Sequence, residues 1–194
     1  MDKDLNLNVN EAELPLSMHP KKFALWLFIV SIVMIFAALT SAYIVRQGQG
    51  NWFEFDLPSI FWINSGIIIL SSVTMHIAYL SAKRNNLEWV KIFMAITTLL
   101  GVLFLIMQFY AWDELKKMEI YFVGNPSGSF LYVFTGVHGF HLVTGLIFLI
   151  VVLVATFRYK VHSKNMIQME MCSTYWHFLD GLWLYLFMFI LLNN

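Results

Sequence analysis

The sequence is poor in charged residues, and this scarcity excludes most classes of soluble protein. Asp, Glu, Lys and Arg make up 12% of the 194 residues, against about 25% in an ordinary soluble domain. Hydrophobic residues make up 59%, and the mean hydropathy is +0.69. The formal net charge is zero, so the chain has no charge excess of the kind that favours binding to nucleic acid. The composition predicts a membrane protein.

The sequence also has little cysteine and no recognisable signal peptide. Cys172 is the single cysteine, which excludes an internal disulfide and a metal site built from several thiolates. We predict a small buried side chain there. Residues 1–22 are polar and contain no short apolar segment followed by a small-residue cleavage motif. We therefore expect them to form a cytoplasmic tail.

Charged residues divide the rest of the chain into five apolar blocks, each long enough for the roughly 20 residues of a membrane crossing. The turn-rich segment Gly124–Ser129 precedes the fourth block and ends in residues that cap helices. The predicted fold class is all-α, a polytopic membrane protein in which residues 1–194 form a single domain, a bundle of five transmembrane helices. The predicted helices cover residues 23–45, 59–82, 91–112, 129–157 and 171–192.

The distribution of Lys and Arg predicts the orientation of the bundle. Nine of these residues fall in the N-terminal tail and the second and fourth loops, and three fall on the opposite side. Because short cytoplasmic loops carry the excess of positive charge, we expect a cytoplasmic N-terminus and, after five crossings, a periplasmic C-terminus. The predicted location is the bacterial inner membrane.

Four ionisable residues stand out because they lie deep inside predicted helices. His138 and His141 share one face of the fourth helix, and His177 and Asp180 share one face of the fifth. All four are expected near the middle of the bilayer, where an unpartnered polar group costs several kcal/mol. We predict that the four side chains face protein and form a structural polar seam of hydrogen bonds between the two helices.

The same residues leave two other interpretations open, a metal site and a proton path. Paired histidines on facing helices resemble metal sites of helix bundles, but such sites bring carboxylates from several helices and only Asp180 lies within a span. A proton path is the alternative that intramembrane ionisable groups suggest. Near the cytoplasmic surface, His19 and His76 are either solvated side chains or groups that collect protons. None of these residue patterns identifies a specific chemical reaction.

Two motifs resemble the subunit III family of haem–copper respiratory oxidases. Residues 130–149 read FLYVFTGVHGFHLVTGLIFL and match the family's aromatic-x-x-T-G-x-H-G-x-H helix, and residues 175–186 read YWHFLDGLWLYL and match its closing signature. The residues Asn64, Ser71 and Ser72, and the stretch Gly101–Gln108, are similar to further family features. The resemblance covers nearly the whole chain from Trp26 onward.

This resemblance implies a non-catalytic subunit of an aa3-type terminal oxidase, in the short bacterial form with five helices, where oxygen reduction is coupled to proton pumping. The chain would pack on subunit I, contact subunit II and other subunits, and support proton uptake and stable turnover. It would bind no cofactor apart from phospholipid, because haem and copper belong to the partner subunits. A supercomplex with a quinol:cytochrome c oxidoreductase is a further possibility, and the electron donor is either cytochrome c or quinol.

The sequence departs from the family pattern at two acidic positions. Ile32 follows Ser31 where the family usually has a glutamate, and Ala111 takes the acid position after Gln108. These losses weaken the case for an internal proton relay and leave Asp180 as the only acid inside a predicted span. They also keep two alternatives open, a subunit-III-like accessory protein of a nitric oxide reductase and an independent ion or solute carrier.

Overall fold

The computed structural model describes residues 19–50, 52–53, 55–157 and 166–193, and the chain there is all-α. Five helices are long and apolar enough to cross a membrane, as the sequence predicts. Most of the predicted tail, and the fourth loop with its three cations, lie outside the described residues. The helices are α1 (Pro20–Gln47), α2 (Ile60–Lys83), α3 (Leu87–Lys117), α4 (Pro126–Phe157) and α5 (Ile167–Asn193).

The helices extend beyond the charged residues that bound the apolar blocks. The helix predicted from residue 91 to residue 112 runs from Leu87 to Lys117, because charged side chains are tolerated on turns that project past the hydrocarbon core. Its 31 residues correspond to about 46 Å at 1.5 Å per residue, compared with a core of about 30 Å. Charge therefore marks the edge of the hydrocarbon better than the end of the helix.

The fourth helix begins three residues before the predicted start at Ser129. Pro126 is its first residue, and the Asn125 side-chain oxygen accepts a hydrogen bond from the Ser127 amide at 2.9 Å. A proline at the first helical position has no amide hydrogen to satisfy, and Asn is among the best N-cap residues. Ser129 lies in the first turn of the helix rather than at its cap. Its hydroxyl donates to the Phe122 carbonyl at 2.6 Å.

Helices α2 to α5 form an antiparallel four-helix bundle, with the largest contact between α2 and α3. Each of these helices packs on the next, and α5 closes the ring against α2. The connection between α2 and α3 is a tight turn in which Asn85 takes a left-handed conformation (φ 56°), which Asn tolerates better than most residues. This arrangement places the middle of α5 against both α2 and α4.

Helix α1 lies outside the ring and contacts only α4 and α5 among the described helices. Near one end, the Lys22 ammonium forms an ion pair with Glu170 at the start of α5. Near the other end, Tyr43 Oη and Gln47 Nε2 donate to the Asn193 carbonyl at 3.1 Å and 2.7 Å. Polar contacts at both ends therefore attach α1 to the bundle, and its remaining surface is mostly exposed and apolar.

Candidate functional site

The main polar contact between helices joins α2 and α5. Serine hydroxyls of α2 meet indole and imidazole nitrogens of α5, and these groups are mostly buried. Such bonds hold helices together where lipid provides no hydrophobic driving force between them. We call this set the α2–α5 seam, and its contacts are Trp176 Nε1 to Ser71 Oγ at 2.9 Å, Trp183 Nε1 to Ser65 Oγ at 3.1 Å, and His177 Nδ1 with Ser72 Oγ at 2.7 Å.

The two histidines of α4 do not join this seam. His138 is fully buried, and neither of its ring nitrogens has a hydrogen-bond partner among the described residues. Its ring centroid lies 5.2 Å from that of Trp183 and 6.1 Å from that of Phe104. His141 Nδ1 makes a 2.8 Å contact with the Val137 carbonyl of its own helix. Both side chains face protein, but their neighbours are chiefly aromatic.

His177 and Asp180 lie one turn apart on α5 but differ in their hydrogen bonding. His177 is half-buried, and its Nδ1 shares a hydrogen bond with the Ser72 hydroxyl. Asp180 is 3% exposed, and neither carboxyl oxygen has a hydrogen-bond partner among the described residues. Asp180 is therefore a buried carboxyl group that the described side chains leave without a hydrogen bond.

The prediction that His138, His141, His177 and Asp180 bond to one another is therefore wrong for the described structure. Helical periodicity gives the face on which a residue lies, but it does not say which helix covers that face. The imidazole of His141 lies near Phe28 and Phe36 of α1, at 6.5 Å and 6.0 Å between ring centroids. Ser72 of α2, one of the family-like residues noted in the sequence, is the observed partner of His177.

A cleft of about 470 Å³ opens where α1, α2 and α5 approach one another. The ion pair of Lys22 with Glu170 lies at this end of the bundle, and Tyr79 and His76 line the α2 wall. His177 lines the α5 wall, and its ring centroid lies 5.9 Å from that of His76. The cleft therefore connects an exposed imidazole with one end of the α2–α5 seam.

The two other histidines singled out from the sequence have different environments. His19 caps α1, because its Nδ1 accepts a hydrogen bond from the Lys21 amide at 3.3 Å. His76 is exposed and faces the cleft. Proton collection by either residue stays a prediction. Cys172 is 1% exposed, which confirms the predicted small buried side chain.

Polar pairs also connect the other helices. Asn64 Nδ2 donates to Gln108 Oε1 at 3.3 Å between α2 and α3, and Trp112 Nε1 donates to Thr135 Oγ1 at 2.9 Å between α3 and α4. Asn64 Oδ1 and Gln108 Nε2 have no further partner among the described residues. Asn64 and Gln108 are among the family-like residues noted in the sequence, and all four residues lie at helix contacts.

Ile32 and Ala111, which occupy the two expected acidic positions, are both buried. Asp180 is the one buried Asp or Glu in the described part of the chain. Within the same residues, no three His, Cys, Asp or Glu side chains converge in a metal-binding arrangement. The chemically distinctive features of the bundle are thus the buried Asp180 carboxyl group and the Ser72–His177 hydrogen bond at the cleft wall.

The substitution Ser65→Ala should destabilise the fold because it removes the acceptor of the buried Trp183 indole. We expect the free energy of unfolding to fall by about 1–3 kcal/mol, the cost of a buried donor left unpaired. Reversible denaturation in mixed micelles would measure this. Ser31→Ala is the matched control, since Ser31 is exposed and its hydroxyl bonds only to the Phe28 carbonyl of its own helix, at 2.6 Å. An equal loss in both variants would contradict a stabilising role for the hydrogen bond between Trp183 and Ser65.

Comparison with known proteins agrees with the motifs at these sites. The family model for cytochrome c oxidase subunit III matches residues 51–193. The chain is 29% identical over 182 residues to cytochrome bo(3) ubiquinol oxidase subunit 3 of Buchnera aphidicola subsp. Schizaphis graminum, covering 90% of this chain and 94% of that protein.

Two relatives named cytochrome c oxidase subunit 3 align over similar lengths. The protein from Synechocystis sp. is 31% identical, and the alignment covers 90% of this chain and 77% of the relative. The protein from Bacillus sp. (strain PS3) is 26% identical, with 86% and 83% covered. The matched region includes α2 to α5 and therefore the whole α2–α5 seam. The chain belongs to the cytochrome c oxidase subunit III family.

Proposed function

We propose that this chain is the non-catalytic subunit III of an aa3-type respiratory terminal oxidase in a bacterial inner membrane. It packs on subunit I, contacts subunit II, and supports proton uptake and sustained turnover. The family membership is the observation that carries this proposal. Three serines of α2 bond to side chains of α5, as expected of a subunit whose polar groups hold its helices together.

The proposed orientation has the N-terminus in the cytoplasm, so that the cleft beside Lys22 opens on the side of proton uptake. Lys21, Lys22, Lys83, Arg84 and Lys91 all lie at this end of the described bundle. Their number exceeds that of the cations at the opposite end, as the positive-inside rule requires.

Phospholipid is the proposed ligand of the chain, and haem and copper are proposed to reside in the partner subunits. An apolar groove of about 380 Å³ runs between α1 and α5. Val33 and Phe36 line one side and Phe178 and Leu182 line the other. This composition suits an acyl chain, because it offers dispersion contacts and few polar groups. Since α1 contacts only two neighbouring helices, a lipid in this groove would stabilise its attachment.

Affinity purification through a tag on this chain tests the function directly. We expect subunits I and II to co-purify with their haem groups, and oxygen consumption to be supported by either cytochrome c or quinol. A larger assembly with a quinol:cytochrome c oxidoreductase would appear in the same preparation under mild detergent. Purification of the chain without haem-containing partners would contradict the proposal.

Deletion of the chain separates a supporting role from a catalytic one. We expect the haem spectra of the remaining complex to be unchanged and the initial rate to be retained, while activity declines faster during turnover. Loss of haem incorporation would contradict a purely supporting role. Reconstitution of the chain alone tests for an independent carrier, and we expect no transport of protons or solutes by it.

A further inference from the structure

The cleft and the apolar groove beside α1 form one continuous site. The cleft of about 470 Å³ lies at the ends of α1 and α5 that carry Lys22 and Glu170, and the groove of about 380 Å³ lies farther along the same two helices. His177 lines both of them. An opening with charged and hydrogen-bonding side chains thus leads directly into an apolar groove.

The length of this site matches one leaflet of a bilayer. The axis of α5 rises about 22 Å between Glu170, which lines the cleft, and Tyr185, which lines the groove. Half of a bilayer, including its headgroup region, is about 20–22 Å thick. Lys22 and Glu170 stand in the first turns of their helices, and Trp26 of the cleft is an aromatic residue of the kind found at membrane surfaces. The cleft therefore lies at headgroup depth and the groove at the depth of acyl chains.

The charged side chains of the cleft carry opposite signs and stand side by side. In the described part of the chain, the cleft is lined by one cation, Lys22, and one carboxylate, Glu170. The two form an ion pair, and their side chains are 37% and 32% exposed. An ammonium has three donors and a carboxylate about four acceptor positions, so one mutual contact leaves capacity on both groups. This pair is complementary to a zwitterion that presents a phosphate to Lys22 and an ammonium to Glu170.

The α2 wall of the cleft adds groups that attract a phosphate. His76 is exposed and lines this wall together with Tyr79, and an imidazole N–H or a hydroxyl can donate to a phosphate oxygen. Lys83 Nζ lies 4.5 Å from the centroid of the Tyr79 ring and adds a positive charge beside the wall. These groups act on the phosphate of every phospholipid. Glu170 is therefore the group that can distinguish one headgroup from another.

We propose that the cleft binds the headgroup of a zwitterionic ethanolamine phospholipid and that the groove holds one of its acyl chains. The phosphate accepts hydrogen bonds from Lys22 and His76, and the ethanolamine ammonium donates to Glu170. A choline headgroup carries the same charges but has no N–H donor for Glu170. A glycerol headgroup offers only neutral hydroxyl donors, which form weaker hydrogen bonds with a carboxylate than an ammonium does. The site thus selects lipids by the headgroup amine.

This site rests on the phospholipid ligand of the proposed function, and it adds the headgroup class and the residues that select it. It does not depend on the oxidase role, because lipid retention is a property of the chain itself. An ethanolamine preference in a chain that purifies without haem-containing partners would support the lipid site and would contradict only the oxidase role.

Native mass spectrometry of the purified chain in detergent tests the headgroup preference. The probe is an equimolar mixture of dioleoyl phosphatidylethanolamine and dioleoyl phosphatidylcholine, so that the two lipids differ only in the amine. We expect the ethanolamine lipid to be retained about tenfold more, the scale of a hydrogen bond to a charged group. Glu170→Gln should bring this ratio close to one, and Lys22→Gln should lower the retention of both lipids. Lys21→Gln is the matched control and should change neither quantity, since Lys21 is exposed and lies outside the cleft lining.

Val33→Trp tests the acyl-chain groove, because Val33 lines the groove and an indole would fill it. We expect the retention of both lipids to fall. Val30→Trp is the control, since Val30 is exposed on the same helix and lies outside the groove lining.

Three results would overturn the proposal: equal retention of the two lipids by the wild-type chain, an unchanged ratio in Glu170→Gln, or equal effects of Val33→Trp and Val30→Trp. The wild-type comparison needs no substitution, so it decides the headgroup preference even where a variant fails to fold.

Discussion

Trp176→Ala should produce the largest loss of stability of any single substitution considered for this bundle. We expect the free energy of unfolding to fall by about 3–5 kcal/mol, the range for deleting a large buried aromatic side chain. Trp176 is 1% exposed, and its indole ring lies against Gly101 of α3 and Gly145 of α4. Its Nε1 also donates to Ser71 of α2 at 2.9 Å. The side chain therefore contacts all three other helices of the ring.

Reversible denaturation of the purified chain in mixed micelles measures this loss, with helical circular dichroism as the signal. Trp89→Ala is the matched control, because Trp89 is 51% exposed and stacks only on Phe93 of its own helix among the described rings. We expect the control to change the free energy of unfolding by less than about 1 kcal/mol. Similar losses in the two variants would show that Trp176 is not central to the bundle.

Gly101→Ala and Gly145→Ala should give the second large effect, although both replace glycine by the best helix former. A Cβ at Gly101 would lie 2.7 Å from Trp176 Cη2 and 2.9 Å from Leu146 Cδ2. At Gly145 it would lie 2.8 Å from Leu179 Cδ1. Overpacking of this kind costs about 1–3 kcal/mol, which offsets the gain of about 1 kcal/mol in helix propensity and leaves a net loss of up to about 2 kcal/mol.

The controls for these substitutions lie on the same bundle and should give the opposite sign. A Cβ at Gly139 of α4 or at Gly66 of α2 would meet no atom within 4 Å. Gly139→Ala and Gly66→Ala should therefore leave the free energy of unfolding unchanged or raise it slightly. If all four variants are stabilised equally, the close approach of Trp176 to α3 and α4 is not a constraint on the fold.

A double-mutant cycle can show that Gly101 and Trp176 act through the same contact. A smaller ring at position 176 leaves room for the methyl group, so Trp176→Phe should reduce the cost of Gly101→Ala. Residues in direct contact have coupling energies of about 0.5–3 kcal/mol. Additive effects of the two substitutions would mean that the helices separate rather than compress around the indole.

Two features of the fold follow from the sequence with little help from the structure. Uncharged runs of membrane-spanning length give the number and order of the helices, because the backbone in lipid must satisfy its hydrogen bonds internally. The motifs in α4 and α5 identify the family, and the family model covers both helices. The charge boundaries place the helix ends less well, since α3 continues past Asp113 and Glu114 to Lys117.

The tertiary structure decides which polar groups become partners. His138 and His177 have similar predicted depth and similar spacing to a second ionisable residue, yet one lies among aromatic rings and the other bonds to Ser72. Helical periodicity assigns each residue to a face of its own helix, but the neighbour of that face depends on how all five helices pack together. Sequence alone thus determined that polar groups lie deep in the membrane, and packing decided that His177 bonds to Ser72 and lines a cleft while His138 lies among aromatic rings.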